Sequence, residues 1–149
     1  MRIFHLTAFI SLLLSIVGKF LADAFLDARI AIAGDFLGLQ PSSNPGIAFG
    51  IQLPAIFQEV AILTALGVVL ILAFRSNRST LTQVGFGLIF GGALGNILDR
   101  ARDGFVTDFF QVGTFPIFNV ADSCITVGVV LLLLETLLRR RSEGKIFNL

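Results

Sequence analysis

The chain has 149 residues, of which 55% are hydrophobic and 14% are charged, and its formal net charge is +1. Soluble domains average about 45–50% apolar and about 25% charged residues, so this composition excludes an ordinary soluble fold and indicates a membrane protein. The net charge of +1 does not itself indicate a nucleic-acid partner, because a basic patch requires clustering on one soluble face, and we expect no such partner. The single cysteine, Cys124, excludes an internal disulfide and is interpreted as a small packing residue.

Four apolar stretches are long enough to cross a bilayer as helices, which requires about 17–25 residues. They are residues 3–22, 56–74, 81–98 and 121–138. The first stretch has an alternative interpretation as a signal peptide, because Arg2 precedes its apolar run and Ala22-Asp23-Ala24 is similar to a small-residue cleavage site. The sequence therefore predicts an all-α membrane fold, a bundle of four transmembrane helices in one domain of residues 1–149.

The basic residues predict the orientation of these spans. By the positive-inside rule, the chain start, the connection between the second and third spans, and the tail are cytoplasmic. Their basic residues are Arg2, Arg75, Arg78, Arg139, Arg140, Arg141 and Lys145. Both termini then lie in the cytoplasm, and residues 23–55 and 99–120, which hold most of the aspartates, lie outside.

The outer segment, residues 23–55, has two apolar runs separated by turn-forming residues. The first is Ile30-Ala31-Ile32-Ala33, and the second covers residues 47–53. Short strands and an interfacial half-helix are both compatible with this pattern.

Along the third span, Gly87, Gly91 and Gly95 recur every four residues, which predicts close packing against a neighbouring helix.

Polar side chains at the edges of apolar spans cost free energy unless they are paired or serve a function, so each of them is a candidate functional residue. Asn96 and Arg100 close the third span on one helical face. The alternative there is an ion pair of Asp99 or Arg100 at a helix end. Asp108 lies among large apolar neighbours in what we expect to be a short loop, and such burial raises a carboxyl pKa.

Asn119 and Asp122 open the fourth span. Asn119 is well placed as an N-cap, with Asp122 three residues later, so a purely structural capping arrangement is one interpretation. It is compatible with a catalytic one, because a helix N-terminus also favours an ionised carboxylate. Together Asp108 and Asp122 are a candidate carboxylate dyad, in which one group holds a proton while the other takes one from water. We expect Asp122 to be the anion and Asp108 to be the acid. His5 stands alone within the first span, so the sequence predicts no metal site.

Four blocks in this order resemble the signal peptidase II family, the bacterial lipoprotein signal peptidases. They are Asn44-Pro45-Gly46-Ile47-Ala48-Phe49, Gly95-Asn96-Ile97-Leu98-Asp99-Arg100, Val106-Thr107-Asp108-Phe109 and Phe118-Asn119-Val120-Ala121-Asp122. The resemblance implies a multi-pass aspartic endopeptidase of the bacterial inner membrane, with its active site near the outer face and no cofactor. Its substrates would be prolipoproteins, cut before a cysteine that carries a diacylglyceryl group.

The resemblance also implies roles for individual residues. Asp108 and Asp122 would be the catalytic pair, and the peptide backbone would be bound by a surrounding set: Asn44, Gly46, Asn96, Arg100 and Asn119. One block departs from the family pattern, which has Asp-Gln, any residue, Ser or Thr, and then Lys after the first span. Here Asp23 is followed by Ala24-Phe25-Leu26-Asp27, so only the aspartate is kept. We assign structural polar roles to Asp23 and Asp99.

The sequence is also compatible with two other functions. One is a small proton or ion transporter that uses its carboxylates as a relay, although no inverted repeat or broken helix supports it. The other is a non-catalytic lipoprotein-binding relative, which the altered 23–27 block makes plausible. For partners we expect a lipid-modified prolipoprotein and membrane lipids, and we expect the protein to be a monomer.

Overall fold

Four long helices dominate the computed structural model, which describes residues 1–46, 55–76 and 79–146. They are α1 (Arg2–Phe25), α2 (Ala55–Arg75), α3 (Thr80–Asp103) and α4 (Val120–Ile146). Each is long and apolar enough to cross a membrane. They cover the four apolar stretches of the sequence, so the prediction of a four-helix membrane fold is confirmed.

Helix α3 has clear start and stop signals. The Ser79 side chain caps its first turn by accepting a hydrogen bond from the Thr82 backbone N–H at 3.1 Å. At the other end Gly104 adopts φ +80°, the left-handed conformation that commonly ends helices and that glycine adopts without steric cost. Helix α3 therefore stops at Asp103, which lets the chain turn directly into a strand.

Helix α3 is the centre of the bundle, because it packs extensively against both α1 and α4. The three glycines predicted to allow close packing face α1: a Cβ on Gly91 would collide with the Ala8 carbonyl, and one on Gly95 would lie 2.6 Å from the Ser15 Cβ. A Cβ on Gly87 would likewise collide with the Thr7 side chain. The prediction that these glycines serve helix packing is confirmed.

A small antiparallel sheet joins the helix ends. Its strands, in the order β1-β2-β3, are β1 (Ile30–Ala33), β2 (Leu37–Asn44) and β3 (Val106–Val112). The strand interpretation of residues 30–33 is confirmed, whereas residues 47–53 lie outside the described part of the chain. The expectation of a short loop around Asp108 is wrong, since residues 106–112 form β3 by pairing with β2, more than 60 residues earlier.

The sheet lies at one end of the bundle. Helices α1 and α3 end there and contact β3, and α2 and α4 begin at the same end. Large apolar side chains elsewhere on the helices are exposed, among them Phe9, Leu63, Phe74 and Leu133. Such surfaces are stable in contact with lipid, which fits helices that span a membrane.

Candidate active site

Asp108 is the most deeply buried carboxylate of the site, with 2% of its surface exposed. It lies on β3, and the pairing of Ser42 with Asp108 brings the end of β2 alongside. From there the Asn44 Nδ2 donates a hydrogen bond to Asp108 Oδ2 at 3.0 Å. The Asn119 Nδ2 donates to the other oxygen, Oδ1, at 2.8 Å. Both carboxylate oxygens are therefore held by side-chain amides.

The surroundings of Asp108 change its acidity. Burial raises the pKa of the Asp108 carboxyl to about 6, and the negative charge of Asp122 acts in the same direction. The amide donors of Asn44 and Asn119 and the guanidinium of Arg100 oppose this rise. The pKa of Asp108 is thus raised, as its apolar neighbours in the sequence predicted.

Asn119 and Asp122 form a reciprocal cap at the start of α4. The Asp122 backbone N–H donates to Asn119 Oδ1 at 3.0 Å, and the Asn119 backbone N–H donates to Asp122 Oδ2 at 3.3 Å. The predicted capping arrangement is therefore present. The Asn119 side chain takes part in this cap through Oδ1. Its Nδ2 group therefore remains available to donate to Asp108.

Asn96 connects the two carboxylates by a second route. Its Nδ2 donates to Asp122 Oδ1 at 2.9 Å, and its Oδ1 accepts from the Asn119 Nδ2 at 3.1 Å. Asp108 and Asp122 are consequently linked through Asn119 directly and through Asn96. The amide groups fix the orientation of both carboxylates without adding charge.

Arg100 reaches the same region from α3, one turn after Asn96. The Arg100 side chain is 8% exposed, and its NH2 group donates to the Gly46 carbonyl at 2.5 Å. The Gly46 backbone N–H in turn donates to Asn44 Oδ1 at 2.9 Å. Arg100 therefore holds the segment that carries Asn44 and places a positive charge near Asp108. All seven predicted active-site residues lie in this one network.

A second polar cluster lies beside this network and centres on Lys19 of α1. The Lys19 Nζ pairs with Asp23 at 3.0 Å, with Asp103 at 2.8 Å and with Asp99 at 2.5 Å. It also donates to Thr107 Oγ1 at 3.0 Å. The buried Asp99 additionally accepts from the Thr107 backbone N–H at 2.7 Å. The cluster ties α1 and α3 to the residue immediately before Asp108.

Sequence reasoning missed Lys19. The family pattern was placed at Asp23–Asp27, where no cation follows, but a lysine stands one helical turn before Asp23. Placed over Ser15–Lys19, the same pattern keeps its lysine, and serine replaces its aspartate. A lone lysine inside an apolar span was the available signal, since such a charge needs a partner. The ion pair suggested for Asp99 or Arg100 exists, and its members are Asp99 and Lys19.

A cavity of about 350 Å³ is lined by residues of both clusters. Lys19 and Asp99 belong to the Lys19 cluster, and Asn96 and Asn119 belong to the network around the dyad. In the described part of the chain, no group of three or more His, Cys, Asp or Glu side chains is arranged to hold a metal ion. Around the two aspartates, the polar groups are the side-chain amides of the three asparagines and the guanidinium of Arg100.

The fold and the site define a multi-pass membrane protein that gathers two aspartates and three asparagines at one end of a four-helix bundle. The family model of signal peptidase (SPase) II matches residues 7–138. A lipoprotein signal peptidase of Chlorobaculum tepidum is 39% identical over 90% of this chain and 93% of its own length. One of Dehalococcoides mccartyi is 37% identical over 95% of this chain and 93% of its own length.

Two solved structures of bacterial membrane enzymes are similar to this chain in fold. A bacterial membrane enzyme determined by the in meso method superposes with a TM-score of 0.80 and 31% identity, over 93% of this chain and 88% of that one. A second structure of this kind gives a TM-score of 0.77 with 30% identity, over 89% and 90% of the two chains. The chain belongs to the signal peptidase II family, a family of proteases.

Proposed function

We propose that the protein is an aspartic endopeptidase that removes signal peptides from diacylglyceryl-modified prolipoproteins, with Asp108 and Asp122 as its catalytic pair. The observation that carries the proposal is that Asn119 contacts both carboxylates, through its side chain to Asp108 and through its backbone to Asp122. Family membership and the lipoprotein signal peptidase relatives support the substrate class.

The two aspartates divide the proton transfers of peptide hydrolysis. Asp122, at the N-terminus of α4, is the anion that accepts a proton from water as the water oxygen attacks the scissile carbonyl carbon. Asp108 donates its proton to the carbonyl oxygen, which gives a neutral tetrahedral diol. As the C–N bond breaks, Asp122 returns its proton to the leaving nitrogen and Asp108 regains one from a diol hydroxyl.

The raised pKa of Asp108 supports this division, because a carboxyl group with a pKa of about 6 holds its proton more readily than an ordinary aspartate. Because the two carboxylates exchange protons with the same substrate, the acid and base roles belong to the dyad as a whole. Asn44, Gly46, Asn96, Arg100 and Asn119 line the site and bind the peptide backbone. One well-placed donor to a tetrahedral intermediate contributes about 2.7–4 kcal/mol.

The position of the dyad suits a substrate anchored by lipid. The site lies at the end of the bundle away from Arg2, Arg75 and Arg139, so the positive-inside rule puts it at the outer face, with both termini cytoplasmic. A diacylglyceryl chain would remain in the bilayer while the scissile bond reaches the dyad laterally. The part of the outer segment that forms β1 and β2 would rest on the membrane surface and control that access.

Cleavage of a lipid-modified prolipoprotein by the purified protein in lipid vesicles tests the proposal. We expect Asp108→Asn and Asp122→Asn each to abolish cleavage, whereas Asp27→Asn, an exposed aspartate of the same outer face, retains it. Full activity in either dyad variant overturns the proposal. Saturable substrate binding without turnover by the wild-type protein would identify a non-catalytic relative, and proton flux without cleavage would identify a transporter.

A further inference from the structure

Three residues next to the dyad, Asn44, Pro45 and Gly46, are each held by a different part of the fold. Asn44 donates to Asp108 on β3, and the Gly46 carbonyl accepts from α3. The Pro45 carbonyl accepts from the Gln58 Nε2 of α2 at 3.0 Å. The family resemblance implied site roles for Asn44 and Gly46, whereas it implied none for Gln58.

Gln58 is unusual for its location. Its neighbours Ile56, Phe57 and Val60 are exposed apolar side chains of a candidate membrane span, whereas Gln58 itself is only 5% exposed. A primary amide buried at this depth is costly unless its donors are used. The contact with Pro45 uses one of them. The N–H of the same peptide group, that of Gly46, donates to Asn44 Oδ1, so the peptide group that Gln58 holds also contacts the Asn44 side chain.

The contact also matters for α2 as a whole. Helix α2 packs against α3 less extensively than α1 and α4 do. The Gln58 side chain therefore supplies a specific polar connection between this helix and the segment that carries Asn44. A shift of the Pro45 peptide would move the adjacent Asn44 amide relative to Asp108, because the two residues share a peptide bond.

We propose that Gln58 is a positioning residue of the active site, which fixes the Pro45 peptide so that the Asn44 amide stays on Asp108. The inference rests on the proposed catalytic role of Asp108. It assigns to α2 a part in the geometry of the dyad, in addition to its role in spanning the membrane.

Gln58→Met tests this, because methionine has a similar length and volume but no donor. We expect kcat to fall about tenfold, which corresponds to about 1.4 kcal/mol, with KM for the prolipoprotein little changed. Since the Asn44 donor opposes the rise of the Asp108 pKa, its weakening should also move the alkaline limb of the pH–kcat/KM profile to higher pH. Thr64→Val, which removes an exposed polar group from the same helix, should change neither quantity.

Gln58→Glu provides a second variant with a distinct signature. An ionised glutamate repels the Pro45 carbonyl, but a protonated one donates to it, so the activity of this variant relative to Gln58→Met should rise as the pH falls. A merely structural role for Gln58 would lower the yield or thermal stability of both variants without moving the pH limb, and that result overturns the inference.

The proposed roles of Gln58 and Asp108 can be tested separately. If Asp108→Asn is inactive while Gln58→Met keeps the wild-type kcat and pH profile, only the inference about Gln58 fails. If Asp108→Asn cleaves at the wild-type rate, the proposed function fails whatever Gln58→Met does.

Discussion

Asn119 and Asp122 exchange hydrogen bonds across the first turn of α4, and the same Asn119 side chain donates to Asp108 on β3. One residue therefore serves both the stability of a helix and the geometry of the dyad. These two contributions are carried by different atoms, Oδ1 for the cap and Nδ2 for Asp108, so substitutions can separate them.

Asn119→Ser should retain the cap and lose the contact with Asp108, because serine is a good N-cap but has no amide donor. We expect thermal stability in detergent to stay close to wild type while kcat falls about ten- to a hundredfold, because a hydrogen bond to a charged group is worth about 1.5–3 kcal/mol. Asn119→Ala should lose the same activity and, in addition, about 1 kcal/mol of stability. Wild-type cleavage by Asn119→Ser would show that the amide is not needed.

Asp108 should make the stability of the protein depend on pH. Its folded-state pKa of about 6 lies above the ordinary value of 3.8, so the folded state binds this proton more tightly than the unfolded state does. The contribution is fully present below about pH 3.8 and is lost as the pH rises to about 6. At about 1.36 kcal/mol per pKa unit, the loss is about 3 kcal/mol.

Thermal unfolding in detergent between pH 4 and 7 measures this effect. Asp108→Asn should remove the dependence that arises from this carboxyl and should be more stable than wild type at pH 7. Asp27→Asn, at an exposed position, serves as the control and should leave the pH dependence intact. An Asp108→Asn curve parallel to the wild-type curve would contradict the assignment of the raised pKa to Asp108.

The sequence predicted the helices better than the contacts between them. Four long apolar runs have few alternatives to spanning helices, since the backbone must satisfy its hydrogen bonds internally in lipid. Strand β3 was missed because its partner β2 lies more than 60 residues away, and strand pairing depends on neighbours that a local pattern does not contain.

Some polar residues of the site could be identified from the sequence, whereas the roles of others became visible only in the folded structure. The apolar neighbours of Asp108 and the helix start at Asp122 were sufficient to select the two aspartates. The asparagines around them were selected because their short motifs resemble those of the signal peptidase II family. Lys19 and Gln58 lie in predominantly apolar stretches, and their roles depend on partners that only the folded chain brings near. A polar residue inside a span indicates that a partner exists but not which one it is.

Lys19 should be essential for stability because of Asp99. The Asp99 side chain is 6% exposed, whereas Asp23 and Asp103 are considerably more accessible. Lys19→Met would leave the buried Asp99 carboxylate without its cation, which typically costs about 3–5 kcal/mol. Adding Asp99→Asn should recover part of this loss, and thermal unfolding of the single and double variants measures the coupling. Strict additivity of the two substitutions would argue against a direct ion pair.

Gly91 should be intolerant of any side chain, because it faces the α1 backbone at Ala8 and the Ser11 side chain. Gly91→Ala would force α1 away from α3, and overpacking of this kind costs about 1–3 kcal/mol. Since α1 carries Lys19, the shift should also lower the cleavage rate. Gly67→Ala is the matched control on α2, where an added Cβ meets nothing within 4 Å, and the better helix propensity of alanine should leave stability unchanged or raise it. If Gly91→Ala and Gly67→Ala unfold at the same temperature, close packing between α1 and α3 does not limit the stability of the bundle.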